Sequence, residues 1–255
     1  MKTFSLALSG GGVRALAHAG VLKALDQYEL HPIAISGTSG GALVGALYAS
    51  GIAPDEIKNF FKQTPLFKFS MLSFGKMGLI DSNKYPALFE KYLSCNTFEQ
   101  LSIPLTVVAT NLLNGKVTYF SKGDLIAPLI ASSALPPYFS PVKIGDAIYC
   151  DGGLLNNFPI EPLREKADML IGSFINPLGE IDEKELNNPV KFLQRIYNVV
   201  MDSSYEDKFK KCDYIFLHEL DNIGVLDTKL IDEAFDYGYQ QALTQLDALR
   251  EYLEN

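Results

Sequence analysis

Gly37-Thr38-Ser39-Gly40-Gly41 is the stretch best placed to do chemistry. It follows Ile33, Ala34, Ile35 and Ser36, a run suited to a buried strand, and precedes Ala42 to Tyr48, a small-residue run suited to a helix. Strand, tight glycine turn and helix is the setting of the nucleophile-elbow motif G-x-S-x-G. Gly37 and Gly41 let such a turn close without side-chain clashes, and Gly40 is expected to take backbone angles barred to other residues. Ser39 would then project from the tip, its hydroxyl at the positive end of a helix, where a developing alkoxide or oxyanion is favoured.

A second chemical stretch is Gly10-Gly11-Gly12-Val13-Arg14. It joins an apolar run, Phe4 to Leu8, to helix-forming residues from Arg14 to Leu25. Successive N–H groups ahead of a helix make an anion-binding concavity. Two anions suit it. One is a dinucleotide, since Gly10-x-Gly12-x-x-Ala15 fits the loose G-x-G-x-x-G/A fingerprint. That fold also wants an acid about twenty residues on, and here the second strand ends at Ser36 and Gly37. The other is the transient oxyanion formed when Ser39 attacks a carbonyl. The two strand ends, expected side by side in a parallel sheet, would present loop and nucleophile together.

A serine hydroxyl needs a base. The histidines are His18, His31 and His218. His18 lies on the first helix and His31 in a loop before Pro32. His218 follows a strand, so the order Ser39, Asp151, His218 matches an α/β-hydrolase triad in name. It does not match in position, because only one strand precedes Ile33. Asp151-Gly152-Gly153 offers another base: Asp151 ends the short strand Ala147 to Cys150, at what reads as an exposed turn. Its ordinary pKa near 4 makes it a weak base in water, and partial burial would raise it.

These groups need a scaffold, and 255 residues provide for one large α/β domain, residues 1–255. A net charge of −8 argues against nucleic acid and against polybasic attraction to anionic lipid. Any membrane or micelle contact is then apolar and transient. Cys95, Cys150 and Cys212 lack metal or redox spacing, so reduced thiols in a cytoplasmic protein are expected, with no metal and no cofactor. Neither a signal peptide nor a transmembrane segment is apparent.

Further strands are expected at Pro104 to Ala109, Lys116 to Phe120 (after the turn Asn114-Gly115), Met169 to Ile175 and Tyr214 to Leu217. Helices are expected from Pro54, from Ser82 to Leu93, from Leu125 to Ser133 and from Val190 to Phe209. A C-terminal helix carries Ile231, Phe235, Tyr239, Ala242, Leu246, Leu249 and Leu253 on one face. Pro177 to Asn188, acidic and proline-flanked, reads as a mobile loop. Leu66 to Leu79, rich in Phe and Met without regular period, reads as a packed excursion or as a lid over an acyl pocket.

Taken in order, Gly10-Gly11-Gly12-Val13-Arg14, Gly37-Thr38-Ser39-Gly40-Gly41 and Asp151-Gly152-Gly153 resemble the patatin-like phospholipase family. Ala131-Ser132-Ser133-Ala134-Leu135-Pro136 and Asn156-Asn157-Phe158-Pro159 resemble that family's stretches around its catalytic Asp. The resemblance covers roughly residues 4 to 176. It implies a three-layer α/β/α fold with a mostly parallel central sheet, and metal-independent hydrolysis of a lipid ester substrate by a Ser–Asp dyad. It assigns the nucleophile to Ser39, the base to Asp151 and the oxyanion hole to the backbone of Gly10, Gly11 and Gly12. Arg14 matches the family's basic position supporting that loop. Ala15 stands where a glycine is common. Acyltransferase or thioesterase chemistry on the same dyad is the neighbouring alternative, although malonyl-type acyltransferases carry His beside the nucleophile where this chain has Thr38.

Overall fold

The computed structural model describes residues 1–64, 86, 89, 92, 93, 95–177, 179–202 and 205–254. The Leu66 to Leu79 segment lies outside the described residues, as does most of the helix expected over Ser82 to Leu93.

The first half of the chain builds the parallel centre of the sheet. Strand β1 (Phe4–Leu8) leads through the glycine loop and one turn of 3-10 helix (Gly12–Ala15) into helix α1 (Leu16–Gln27). Strand β2 (Ala34–Thr38) leads into α2 (Gly40–Ala49), and α3 spans Pro54–Gln63 with Asp55 and Glu56 in its first turn. Strands β1 and β2 pair in parallel, as expected, with Leu8 opposite Gly37. Both elbow loops therefore leave the same end of the sheet, where open α/β sheets hold ligands.

Strand β3 (Leu105–Asn111) pairs parallel to β2 and antiparallel to β4 (Lys116–Phe120), the hairpin expected at Asn114-Gly115. Helix α4 is Ile126–Ser132. A second antiparallel pair follows, β5 (Val142–Ile144) with β6 (Ala147–Asp151), then the one-turn helix α5 (Gly153–Asn156). Strand β5 has no counterpart in the sequence-based expectation, because three residues are too few for a period to register. Strand β7 (Met169–Phe174) pairs parallel to β1, and β8 (Tyr214–Leu217) parallel to β7. The resulting order is β5-β6-β3-β2-β1-β7-β8, with β4 branching from β3.

Both sheet faces are covered, which gives the three layers. Alternation along the central strands sorts the side chains. Leu6, Leu8 and Ile171 enter the large core with α1 and α2, whereas Ala7, Leu170 and Phe174 enter a smaller core on the opposite face with Phe158 and Ile160. Tyr205 and Phe209 of α7 (Tyr205–Phe209) complete the second core, Tyr205 stacking on Phe174 with ring centroids 5.4 Å apart.

Two helical expectations change. The stretch Val190 to Phe209 is described as α6 (Pro189–Asp202) and α7, with residues 203 and 204 outside the described set. The C-terminal helix is two helices, α8 (Ile231–Leu243) and α9 (Leu246–Glu254). The Gln245 amide donates to the Ala242 carbonyl at 2.8 Å, a tighter turn than α-helical. The apolar face runs across this break, with Phe235, Ala242, Leu246, Leu249 and Leu253 all buried, so its spacing could not reveal the break. Among the described residues no helix is long and apolar enough to cross a membrane.

Candidate active site

Ser39 sits between β2 and α2 with φ 53° and ψ −126°. The left-handed angle falls on the serine itself and not on Gly40, contrary to the expectation from sequence. Holding a non-glycine residue there costs about 1–3 kcal/mol, which the surroundings must outweigh. The Ser39 amide donates to Ser132 Oγ at 2.8 Å, fixing the turn from the side of α4. Gly40 is needed for close approach instead: a Cβ there would lie 2.6 Å from the Gly12 carbonyl oxygen and 2.7 Å from Ala15 Cβ. A Cβ on Gly41 would lie 2.4 Å from the Ser9 oxygen, and one on Gly37 2.7 Å from the Ala42 nitrogen. The two glycine turns thus pack directly on one another.

Asp151 ends β6, which runs antiparallel to β3 with Asp151 opposite Ala109. It is 1% exposed, which corrects the exposed turn expected from its Asp-Gly-Gly sequence. The turn folds inward because Gly152 passes over β3 so closely that a Cβ would lie 2.3 Å from the Val108 oxygen. The segment after α4 closes the other side: the Asp151 amide donates to the Ala134 oxygen at 3.1 Å and the Gly152 amide to the Ser132 oxygen at 3.4 Å. Thr110 Oγ1 donates to the Asp151 carbonyl at 2.9 Å.

These constraints bring the two side chains together. Ser39 Oγ donates to Asp151 Oδ2 at 2.7 Å, while Asp151 Oδ1 accepts the Gly153 amide at 2.8 Å. Burial pushes the Asp151 carboxyl up to about 7, and the bonds from Gly153 and Ser39 pull only partly against it.

The glycine loop is anchored at several points. The Gly10 amide donates to the Asn157 carbonyl at 3.0 Å, so this N–H is occupied by the scaffold, and its place among expected anion donors is corrected accordingly. Asn176 Nδ2 donates to the Gly10 carbonyl. Gly12 has φ +58°, and a Cβ there would lie 2.1 Å from the Val225 oxygen, so only glycine fits. Arg14 donates through Nε to the Ile223 carbonyl at 2.6 Å and through a terminal nitrogen to Asn176 Oδ1 at 3.3 Å. It therefore ties the loop to the C-terminal third of the chain.

The histidines lie elsewhere. His18 is fully buried, with Nε2 2.9 Å from the Ser9 carbonyl and Nδ1 2.7 Å from Ser173 Oγ. The carbonyl can only accept, so His18 carries its proton on Nε2 and accepts the Ser173 hydroxyl on Nδ1. His218 Nε2 then donates to Ser173 Oγ at 3.3 Å. Burial lowers His18 to about 4 and His218 to about 3, so both are neutral structural groups. His31 is 3.2 Å from Asp26 Oδ1 at the surface.

Ser39 and Asp151 open onto a cavity of about 970 Å³. Gly11 and Gly12 border it, and Gly10 does not. Leu135, Phe139, Leu154, Ile196, Val225 and Leu226 supply apolar wall. Gly179 to Ile181, Glu185 and Leu186 also line it, so residues of the stretch expected as a mobile loop, Pro177 to Asn188, form part of the wall of this cavity. Ser133, Asn157 and Tyr197 line it too, with side-chain polar atoms that are buried and have no hydrogen-bond partner. Tyr197, on α6, carried no signal in the sequence, since a single tyrosine on a long helix resembles many others. Among the described residues no group of three His, Cys, Asp or Glu is placed to hold a metal ion.

Comparison with known proteins agrees with this architecture. The family model for patatin-like phospholipases matches residues 6–164, which include the glycine loop, Ser39 and Asp151. An uncharacterized NTE family protein of Mycobacterium tuberculosis is 33% identical over 198 residues, 75% of this chain and 55% of the relative. Lysophospholipase NTE1 of Cryptococcus neoformans var. neoformans is 30% identical over 199 residues, 71% of this chain and 12% of the relative. The chain spans about half the length of the mycobacterial relatives it matches. The crystal structure of VipD from Legionella pneumophila shares the fold, with a TM-score of 0.54 at 15% identity, over 97% of this chain and 67% of that one. With a family match over most of its length and a sheet whose ends carry both glycine turns, the chain belongs to the patatin-like phospholipase family.

Proposed function

We propose that the protein is a metal-independent serine acyl hydrolase acting on fatty acyl esters of phospholipids or lysophospholipids. The observation that carries this reading is the 2.7 Å hydrogen bond from Ser39 Oγ to Asp151 Oδ2 in a largely apolar cavity. Ser39 attacks the ester carbonyl and its proton passes to Asp151. A carboxylate held at about 7 is far more basic than one in water, and a base with pKa near the working pH is the most effective. The negative charge gathers on the former carbonyl oxygen. The amides of Gly11 and Gly12, at the start of the 3-10 turn, are the donors this reading assigns to it, and a donor of this kind contributes about 2.7–4 kcal/mol.

Collapse of the tetrahedral intermediate breaks the ester C–O bond, and Asp151 returns the proton to the leaving alcohol. Water then attacks the acyl-enzyme with Asp151 again as base. The apolar walls hold the acyl chain, and contact with a membrane or micelle is transient. The free thiols Cys95, Cys150 and Cys212 support a reducing compartment, in keeping with cytoplasmic action. The glycine loop opens into the same cavity as Ser39, which favours an oxyanion over a dinucleotide as its anion.

A fluorophosphonate probe followed by peptide mapping tests this reading, alongside release of fatty acid from phospholipid and lysophospholipid. Label is expected on Ser39 and on no other serine, with both label and hydrolysis lost in Ser39→Ala. Full esterase activity in Ser39→Ala refutes the assignment.

A further inference from the structure

The dyad and the glycine loop leave several polar groups of the cavity unused. Ser133 Oγ and the Tyr197 hydroxyl are buried and have no partner. A buried hydroxyl without a partner is unfavourable, so two bordering one cavity point to a ligand that completes them.

Their chemistry indicates which part of the ligand. Ser133 lies between Ser132 and Ala134, whose carbonyls accept the Gly152 and Asp151 amides, and Ser132 Oγ accepts the Ser39 amide, so it stands beside both members of the dyad. Tyr197 borders the same cavity from α6, where burial and then the Asp151 charge keep its proton on. Gly11 and Gly12 border the cavity too, and the Asn157 side-chain amide there is likewise without a partner. During acyl transfer the leaving oxygen must lie where Asp151 can return a proton to it. An acyl chain is apolar and cannot complete two hydroxyls, so they fall to the alcohol half of the ester, which carries the remaining polar atoms.

We propose that Tyr197 and Ser133 form a subsite for the alcohol half of the ester, taking a polyol whose oxygen atoms lie close to the scissile bond. The inference rests on the acyl-hydrolase reading above. As the C–O bond breaks, the electron pair stays on the leaving oxygen and the proton from Asp151 joins it. Tyr197 donates to an oxygen of the leaving polyol, and Ser133 both donates and accepts. Neither residue exchanges a proton in the net reaction. Tyr197 lies beyond residues 6–164 and Ser133 within them, so the subsite joins the matched part of the chain to the part outside the family match.

A matched pair of esters isolates the effect: 1-monododecanoylglycerol and propyl dodecanoate share acyl chain and linkage and differ in the alcohol hydroxyls. The full chain and its Tyr197→Phe and Ser133→Ala variants are assayed for kcat/KM on both, with fluorophosphonate labelling of Ser39 and thermal unfolding of each. The wild type should prefer the glyceryl ester. Each variant should lose about tenfold on that ester and stay within about twofold on the propyl ester, as expected for one neutral hydrogen bond. Labelling should be retained, and Tm should be unchanged or raised, because an unpaired hydroxyl has been removed. Equal losses on both esters, or an unchanged preference with lowered Tm, overturn the subsite and leave these residues with packing roles. A wild type that hydrolyses both esters equally also overturns it. A wild type that hydrolyses neither and takes no label overturns the acyl-hydrolase reading itself.

Discussion

Replacing Asp151 by Asn exchanges a buried carboxylate for an amide of nearly the same shape. The amide oxygen can accept the Gly153 N–H at the present 2.8 Å, and its NH2 can face Ser39 Oγ at the present 2.7 Å. What changes is charge and basicity. Burial holds the native carboxyl at about 7, against 3.8 for an unhindered one. As pH rises through 3.8 the unfolded chain releases this proton while the native protein keeps it until about 7. In that window the native state binds more protons, so native stability falls as pH rises, and it levels off above about 7. The displacement spans about three pH units at 1.36 kcal/mol each, which makes the ionised carboxylate about 4 kcal/mol unfavourable to the fold. Asp151→Asn should therefore match the wild type near pH 4 and exceed it increasingly up to pH 7, by about 4 kcal/mol on the same basis. Its kcat should fall about 10²–10⁴-fold, the usual contribution of a general base. Urea unfolding of both proteins from pH 4 to pH 9, with ester kinetics on the same samples, makes the measurement. A variant less stable than the wild type throughout, or a difference flat with pH, would refute the reasoning that burial raises this carboxyl.

The histidine pair should behave in the opposite sense. His18 at about 4 and His218 at about 3 lie below the ordinary 6.5, so their contribution to stability is present above pH 6.5 and declines as pH falls toward those values. His218→Gln should keep activity within about tenfold, because loss of a true general base costs more; a collapse of kcat in His218→Gln with Asp151→Asn active would replace the dyad by a Ser–His arrangement. Gly12→Ala should inactivate and destabilise together, since its φ of +58° and the Val225 oxygen 2.1 Å from an added Cβ leave no room; wild-type kinetics from this variant would remove the loop from the mechanism. Hydrolysis should persist in excess chelator, and its loss with rescue by calcium would show that a metal takes part.

Where the sequence was legible, covalent geometry did the work. Glycine spacing at Gly10 to Gly12 and Gly37 to Gly41 marks places where backbone must approach backbone, and such spacing survives in one dimension. Strand β1, the Asn114-Gly115 hairpin and the start of α3 follow from local pattern in the same way. Elements that depend on partners were less legible. Strand β5 exists because β6 pairs with it, and the break between α8 and α9 is masked because buried positions continue across it.

The sequence by itself determined the family, the parallel core and the candidates Ser39 and Asp151, because small residues around a nucleophile and before a helix answer to local sterics. Tertiary structure alone decided how the candidates relate. Residues 112 apart in the chain meet at 2.7 Å because β3 separates their strands by one sheet position and Gly152 lets the Asp turn fold inward. Burial, which no local pattern records, raised Asp151 to about 7 and set both core histidines aside as neutral structural groups. The Asn157 carbonyl withdrew Gly10 from the free amides, and α6 delivered Tyr197 to the cavity from beyond every motif, because these outcomes depend on distant segments packing against the loop.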